Sequence, residues 1–278
     1  MILAPSDKPD VEQLAAELEP WLAERLKHVQ VRTDVLAYCT QRERDGSSSE
    51  DTPDLVVVLG GDGSLLGAVR AFAQDPVPTL GIHAGRVGFL ASTPASRWRE
   101  TLEGLLEGEG RLELRTRLLV KIEGAMPATR VALNEVTIQR GSHQGMLTVA
   151  LSFDEDWVTD YRADGLIVAT PSGSTAYSLS AGGPILEPSV SGFVVTPICS
   201  QGLSNRPIVV SDKGELELTL QSTAGISSLA IDGQAYHMLR QGETVRISRH
   251  PVPYPLFAMP ELDPYRRLRD RLGWRGSP

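Results

Sequence analysis

The sequence predicts a parallel α/β domain followed by a β-rich domain, and three observations carry that expectation. Apolar strand signals alternate with a helical stretch through the first quarter of the chain. The strand-like run DLVVVLG ends in a glycine-rich turn that leads into a second helical pattern. From about Arg111 onward, short apolar runs follow one another, separated by Gly, Pro, Ser and Asp turns.

In order, Ile2 to Ala4 reads as a strand and Val11 to His28 as a helix, with Leu14, Leu18, Trp21, Leu22 and Arg25 on one face. Asp10 is its expected N-cap, and Pro20 is expected to bend or divide it. Gly46, three serines, Glu50 and Asp51 predict a polar surface loop ahead of the strand Leu55 to Leu59. A helix through Leu65, Leu66, Val69 and Phe72 follows, ended by Pro76 to Pro78. A short strand, Thr79 to Ile82, precedes a helix over Pro94 to Glu107 capped by Thr93. In the second half RLELRTRLLVKI, TRVALNEVTIQR, GMLTVALSF, DGLIVAT, GFVVTPI, RPIVV, GELELTL and SSLAIDG read as strands. The tail Asp263 to Leu272 reads as a helix, with Asp263 as cap, Pro264 in its first turn and Gly273 as stop.

Composition bounds the function. With 278 residues, 41% hydrophobic and 22% charged, the chain can build cores without disulfide or metal staples. A formal net charge of -8 gives no general attraction to nucleic acid or an anionic membrane, so a phosphate ligand must be met by local groups. No stretch of apolar residues is long enough to span a bilayer and the N-terminus lacks a leader pattern, so a soluble, cytoplasmic protein is expected. Cys39 and Cys199 are expected to be buried free cysteines, and no Cys/His cluster has metal-site spacing, so no residue is assigned as a metal ligand.

The glycine-rich turn, Gly60, Gly61, Asp62, Gly63 and Ser64, leaves a strand and enters a helix. Such a turn presents backbone N–H groups and a helix N-terminus to an anion, and glycine allows phosphate oxygens to approach closely. Three readings stand at this point. Asp62 can be a solvated N-cap of an ordinary turn. Gly61, Gly63 and Gly67 can be a dinucleotide fingerprint, although they give GxGxxxG and no acid ends the next strand, TLGIHAG. Or Asp62 can be catalytic, because a carboxylate beside a pyrophosphate is repelled unless it binds a cation or takes a proton from a reacting hydroxyl. Neither GxxxxGK[ST] nor the protein-kinase motifs HRD and DFG occur.

GGDGS, GIHAGRVGFL (Gly81 to Leu90), LNEVTIQR (Leu133 to Arg140), DGLIVATPSGSTAYSLSAGGPI (Asp164 to Ile185), LSNRPIVV (Leu203 to Val210) and IDGQ (Ile231 to Gln234) together resemble the NAD kinase family, in the family's order, over about residues 55 to 235. The GGDG loop alone also resembles phosphofructokinases and the diacylglycerol and sphingosine kinases; the second glycine- and serine-rich run separates them. A lipid or sugar kinase, or a dinucleotide binder without kinase activity, are the rival readings.

The resemblance implies a kinase that transfers the γ-phosphate of ATP to the 2′-hydroxyl of the adenosine ribose of NAD, giving NADP, with Asp62 as general base and Mg²⁺ or another divalent cation accompanying ATP. It implies an NAD site built from Asp62, Gly63, Asn134, Glu135, Arg162, Asp164, Thr175, Ala176, Tyr177, Ser178, Leu179, Ser180 and Gln234, and a homodimer or homotetramer; whether polyphosphate can replace ATP as donor is left open. Ser64 stands where the family often has threonine, and His83 where asparagine is commoner. Residues and resemblance together predict a Rossmann-like parallel sheet with the GGDGS loop in residues 1–108, a β-sandwich-like, NAD-binding domain in 109–250, and a tail and helix in 251–278 that return to the first domain.

Overall fold

The computed structural model describes the chain except residues 7, 46–51, 86–87, 142–144, 203, 224, 259–263 and 275–278. The polar loop expected around Gly46 to Asp51 and the Asp263 cap lie outside the described residues. The chain forms two compact units: Met1–Leu114 together with the segment from Tyr254 onward, and Arg115–Pro253.

The first unit opens β1 (Ile2–Leu3), α1 (Pro9–Ala23), β2 (Val31–Arg32), α2 (Val35–Asp45), β3 (Val56–Leu59), α3 (Asp62–Ala71) and β4 (Thr79–His83). β5 (Thr93–Pro94), a 3₁₀ turn at Ala95–Arg97, α4 (Trp98–Leu106) and β6 (Arg111–Arg115) follow. The second unit contributes β7 (Leu118–Glu123), β8 (Ala128–Ala132), β9 (Glu135–Arg140), β10 (Leu147–Phe153), β11 (Asp156–Ala163) and β12 (Gly165–Ala169). A 3₁₀ turn at Gly173–Thr175 and the single-turn α5 (Tyr177–Ser180) lead to β13 (Gly192–Ile198), β14 (Ile208–Ser211), β15 (Leu216–Ser222), β16 (Ser227–Ile231), β17 (Gln234–Leu239) and β18 (Thr244–Arg249). The chain closes with β19 (Tyr254–Ala258) and α6 (Pro264–Leu272), both in the first unit.

The first unit's sheet has the order β2-β1-β3-β4-β19-β6, with β5 paired to β4. Its central strand is buried at every position, VVVL, as a parallel strand covered on both faces must be. Alternation explains the partners: Val57 and Leu59 share one cluster with Leu14, Leu18 and Leu22 of α1 and Trp98 and Leu102 of α4, and Val56 and Val58 point the other way. Trp21 and Trp98 meet edge to face at 5.4 Å between centroids.

Four expectations about helices are corrected. The first helix begins at Pro9, with Lys8 rather than Asp10 in the N-cap position, because proline at the first helical position gives up no hydrogen bond. It runs through Pro20 unbroken, since Pro20 and Ala16 lie on the exposed face, where the Ala16 carbonyl left without a helical donor can meet water. Thr93 does not cap a helix but pairs with Ile82 as a short strand. Arg25 falls beyond the end of α1, where its guanidinium lies 4.1 Å from the Trp21 ring centroid.

The second unit is a two-sheet sandwich. One sheet runs β11-β10-β15-β18-β7-β8 and the other β14-β13-β12-β9-β16-β17, every adjacent pair antiparallel. Inward residues of both meet in one core, Val120, Val149, Leu218 and Ile247 from the first sheet and Val136, Ile138, Leu166 and Phe193 from the second. The run TRVALNEVTIQR divides between the two sheets: β8 ends at Ala132, Leu133 and Asn134 make the crossing, and β9 begins at Glu135.

Candidate functional site

Two constellations carry the predicted site residues, one in each unit. In the first, β3 leads through Gly60 and Gly61 into α3, whose first helical residue is Asp62. Gly60 has φ of 152°, and a Cβ there would stand 2.6 Å from Ser64 Oγ, so the turn requires glycine. Gly61, not Asp62, is the N-cap, and no side chain caps the helix. The reading of Asp62 as a solvated N-cap is thereby excluded.

The Asp62 carboxylate instead accepts three backbone hydrogen bonds from a segment 27 to 29 residues downstream. Phe89 N–H donates to Oδ2 at 2.9 Å, and Leu90 and Ala91 N–H donate to Oδ1 at 3.0 and 2.9 Å. Three donors from one segment fix the direction of the carboxylate. Gly88 packs against the same group: a Cβ on it would lie 1.9 Å from Oδ1. The Phe89 ring in turn lies 5.4 Å from the Arg271 guanidinium of α6. Gly63 is exposed beside Asp62. His83, at the end of β4, is buried; its Nδ1 pairs with the Gly85 carbonyl at 2.8 Å, and its Nε2 has no hydrogen-bond partner among the described residues.

In the second unit Asn134 and Glu135 stand at the crossing from β8 to β9, 7% and 6% exposed. Asn134 Oδ1 and Glu135 Oε2 are buried and, among the described residues, have no hydrogen-bond partner. Orphaned buried acceptors are costly, and here two consecutive residues carry them. Burial first, and the charge of Asp232 second, push the Glu135 carboxyl from 4.5 up to about 8, against the pull of a hydrogen bond from the Tyr177 backbone N–H.

The serine-rich run folds over this pair. Thr170 N–H donates to the Asn134 carbonyl at 2.8 Å, and Gly173 comes so close that a Cβ on it would lie 2.1 Å from that oxygen. Thr175 Oγ1 donates to the Ser172 carbonyl at 3.0 Å, and Ala176 N–H to the Gly173 carbonyl at 2.9 Å. Tyr177 is 40% exposed, with its phenol accepting from Gln139 Nε2 at 2.8 Å, so it is not a core tyrosine. Ser178 is buried and pairs with Thr196 Oγ1 at 2.8 Å; Leu179 is half-buried and Ser180 exposed.

The remaining residues are more peripheral. Asp164 accepts from Arg140 Nε at 2.8 Å as a partly exposed ion pair. The Arg162 side chain is exposed and its carbonyl accepts from Gln201 N–H at 3.0 Å. Gln234 opens β17, exposed, just after the tight turn made by Asp232 and Gly233 at φ of 46° and 76°. Cys39 is buried and its thiol pushed up to about 11 by burial. Cys199, expected to be buried, is exposed, because it sits at φ of 48° just past β13 rather than inside it.

Sequence reasoning missed two groups: the Gly88–Ala91 segment that holds Asp62, and Asp232, which accepts from the N–H groups of Leu133, Asn134 and Glu135 at 2.9, 2.7 and 3.1 Å. Both lie in runs, GFLA and IDGQ, whose pattern was visible without any role for these residues.

Residues 1–110 match the ATP-NAD kinase N-terminal domain and residues 133–258 the ATP-NAD kinase C-terminal domain. The chain is 39% identical over 268 residues to the NAD kinase of Desulfatibacillum aliphaticivorans, covering 95% of this chain and 94% of that one. To the NAD kinase of Rhodopirellula baltica it is 35% identical over 278 residues, covering 99% and 86%. Among solved structures, the yeast NADH kinase complexed with NADH superposes with a TM-score of 0.86 at 26% identity, covering 99% of this chain and 88% of that one. The NAD kinase from Archaeoglobus fulgidus in complex with ATP gives 0.77 at 27% identity, covering 99% of each. With both domains matched in order and relatives aligned over nearly the whole length, the chain belongs to the ATP-NAD kinase family.

Proposed function

We propose that the chain transfers the γ-phosphate of ATP to the 2′-hydroxyl of the adenosine ribose of NAD, with Asp62 accepting the hydroxyl proton. Family membership supports the NAD kinase activity. The observation that supports the role of Asp62 is its carboxylate, held by three N–H groups at the start of α3 instead of capping it. A carboxylate has about four acceptor positions, two on each oxygen. Oδ1 receives two of the three bonds and Oδ2 one, so Oδ2 keeps a position for the hydroxyl as it attacks phosphorus. A base fixed in direction contributes roughly 10²- to 10⁴-fold. In-line positioning and neutralisation of phosphate charge supply the larger share, since phosphoryl transfer asks little covalent work of the protein.

The divalent cation is read as arriving on ATP, as part of the substrate; a triphosphate and water can satisfy such an ion with one or two carboxylates. Asn134 Oδ1 and Glu135 Oε2 suit the polar edges of the adenosine, and Thr175 to Ser180 supply hydroxyls, backbone groups and the Tyr177 ring beside them. Arg162, Asp164 and Gln234 are assigned to the periphery of the same nucleotide. No helix of the described residues is long and apolar enough to cross a membrane; a cytoplasmic homodimer or homotetramer is the proposed form.

Incubating the protein with Mg²⁺-ATP and NAD, beside sugar and diacylglycerol acceptors, tests the reading. Phosphorus NMR should find a single product phosphorylated at the adenosine 2′ position. Phosphorylation of another acceptor, with no NADP formed, would contradict it.

A further inference from the structure

We propose that Asp232 is a positioning residue of the NAD subsite: by gripping three successive backbone N–H groups it holds Glu135 as a neutral acid that gives as well as accepts a hydrogen bond. The inference rests on the reading of Asn134 and Glu135 as nucleotide ligands.

Asp232 lies in the two-residue turn between β16 and β17, in a left-handed conformation at φ of 46°, and is 7% exposed. Its own N–H donates to the Glu135 carbonyl at 2.9 Å, and its carboxylate accepts from Leu133, Asn134 and Glu135. Four hydrogen bonds thus tie the β16–β17 turn to the crossing where the two orphaned acceptors sit. Three N–H donors satisfy Asp232 as the anion. A second anion buried beside it is disfavoured twice, by loss of water and by like charge.

The groups around Glu135 offer little compensation. Neighbouring strands β12, GLIVA, and β16, SSLAI, carry no titratable side chain. The serine-rich turn brings Tyr177, which donates its backbone N–H to Glu135. Burial and Asp232 together push the Glu135 carboxyl to about 8. A neutral acid offers one donor and an acceptor, matching a nucleoside that presents hydroxyls and ring nitrogens in one place. A bound nucleotide removes still more water, so the neutral form is the one that binds.

The test is KM for NAD as a function of pH. In the unaltered protein KM should hold level on the acid side and rise about tenfold per pH unit above the Glu135 titration. Asp232→Asn should move that break to lower pH, and Glu135→Gln should remove it. A level KM through about pH 9, or a break that Asp232→Asn leaves in place, would overturn the inference. Because Asp232→Asn puts an amide against N–H donors and can weaken the fold, carbon-13 NMR of Glu135 in the unaltered protein gives a second readout. A midpoint near 8 supports the proposal, and one near 4.5 overturns it. Failure to make NADP at any pH would refute the kinase reading instead, with the NMR titration still deciding this one.

Discussion

Gly88 stands so close to Asp62 that a methyl group on its α-carbon would lie 1.9 Å from Asp62 Oδ1 and 2.6 Å from its Cγ. The glycine lets the backbone pass the carboxylate so that Phe89, Leu90 and Ala91 can each donate to it. Gly88→Ala should displace Asp62 and cost about 1–3 kcal/mol by overpacking. It should lower kcat about 100-fold, since displacement of a reacting group by about 1 Å has that effect. Thermal unfolding and steady-state kinetics measure the two together; unchanged kcat would show that Asp62 need not be held there.

Gly173 has the corresponding place in the second unit. A Cβ on it would lie 2.1 Å from the Asn134 carbonyl oxygen and 2.5 Å from the carbonyl carbon, and backbone cannot step aside as a flexible side chain can. Gly173→Ala should destabilise by about 1–3 kcal/mol and raise KM for NAD more than it lowers kcat, because it moves a binding group. Urea unfolding and kinetics check both; a change confined to kcat would contradict the assignment.

Much of this was legible in the sequence, and the missing part has a common cause. Buried apolar runs such as VVVL, GLIVA and SSLAI announced their strands, and GGDG announced an anion turn. β11, DWVTDYRA, was not recognised because an exposed edge strand alternates polar residues with exposed Trp157 and Val158. RLELRTRLLVKI reads as one strand because its alternation continues across the point where the chain passes from β6 to β7. The grip on Asp62 was invisible for a deeper reason: its donors are backbone N–H groups, which every residue but proline carries. A residue's identity does not reveal where its amide points. Asp232, 97 to 99 residues beyond its partners, was hidden in the same way.

Glu135 makes the stability of the unliganded protein pH-dependent. With its carboxyl raised from 4.5 to about 8, the folded state keeps a proton that the unfolded chain releases between those values. The contribution is complete below 4.5 and is lost as pH rises through about 8. Urea midpoints should fall more steeply across this window than those of Glu135→Gln. Parallel profiles would contradict the raised value.

His250 has the opposite sign. Burial lowers it, and the Arg117 guanidinium 3.0 Å from Nδ1 adds to that, against the hydrogen bond with the Val252 carbonyl. The folded state then takes up a proton less readily than the unfolded chain, so stability is lost as pH falls below 6.5. A His250→Gln variant should lose less stability than the unaltered protein between about pH 7 and about pH 5. An equal loss in both would remove His250 from the account.

Asp62 is the proposed base. Asp62→Asn keeps the shape but removes the proton acceptor and turns one acceptor oxygen into a donor, facing N–H groups that now have fewer partners. The direct measurement is single-turnover phosphorylation of NAD by this variant, with NAD affinity measured on the same sample. The prediction is a rate about 10²- to 10⁴-fold lower at nearly unchanged affinity; a rate equal to that of the unaltered protein would contradict it.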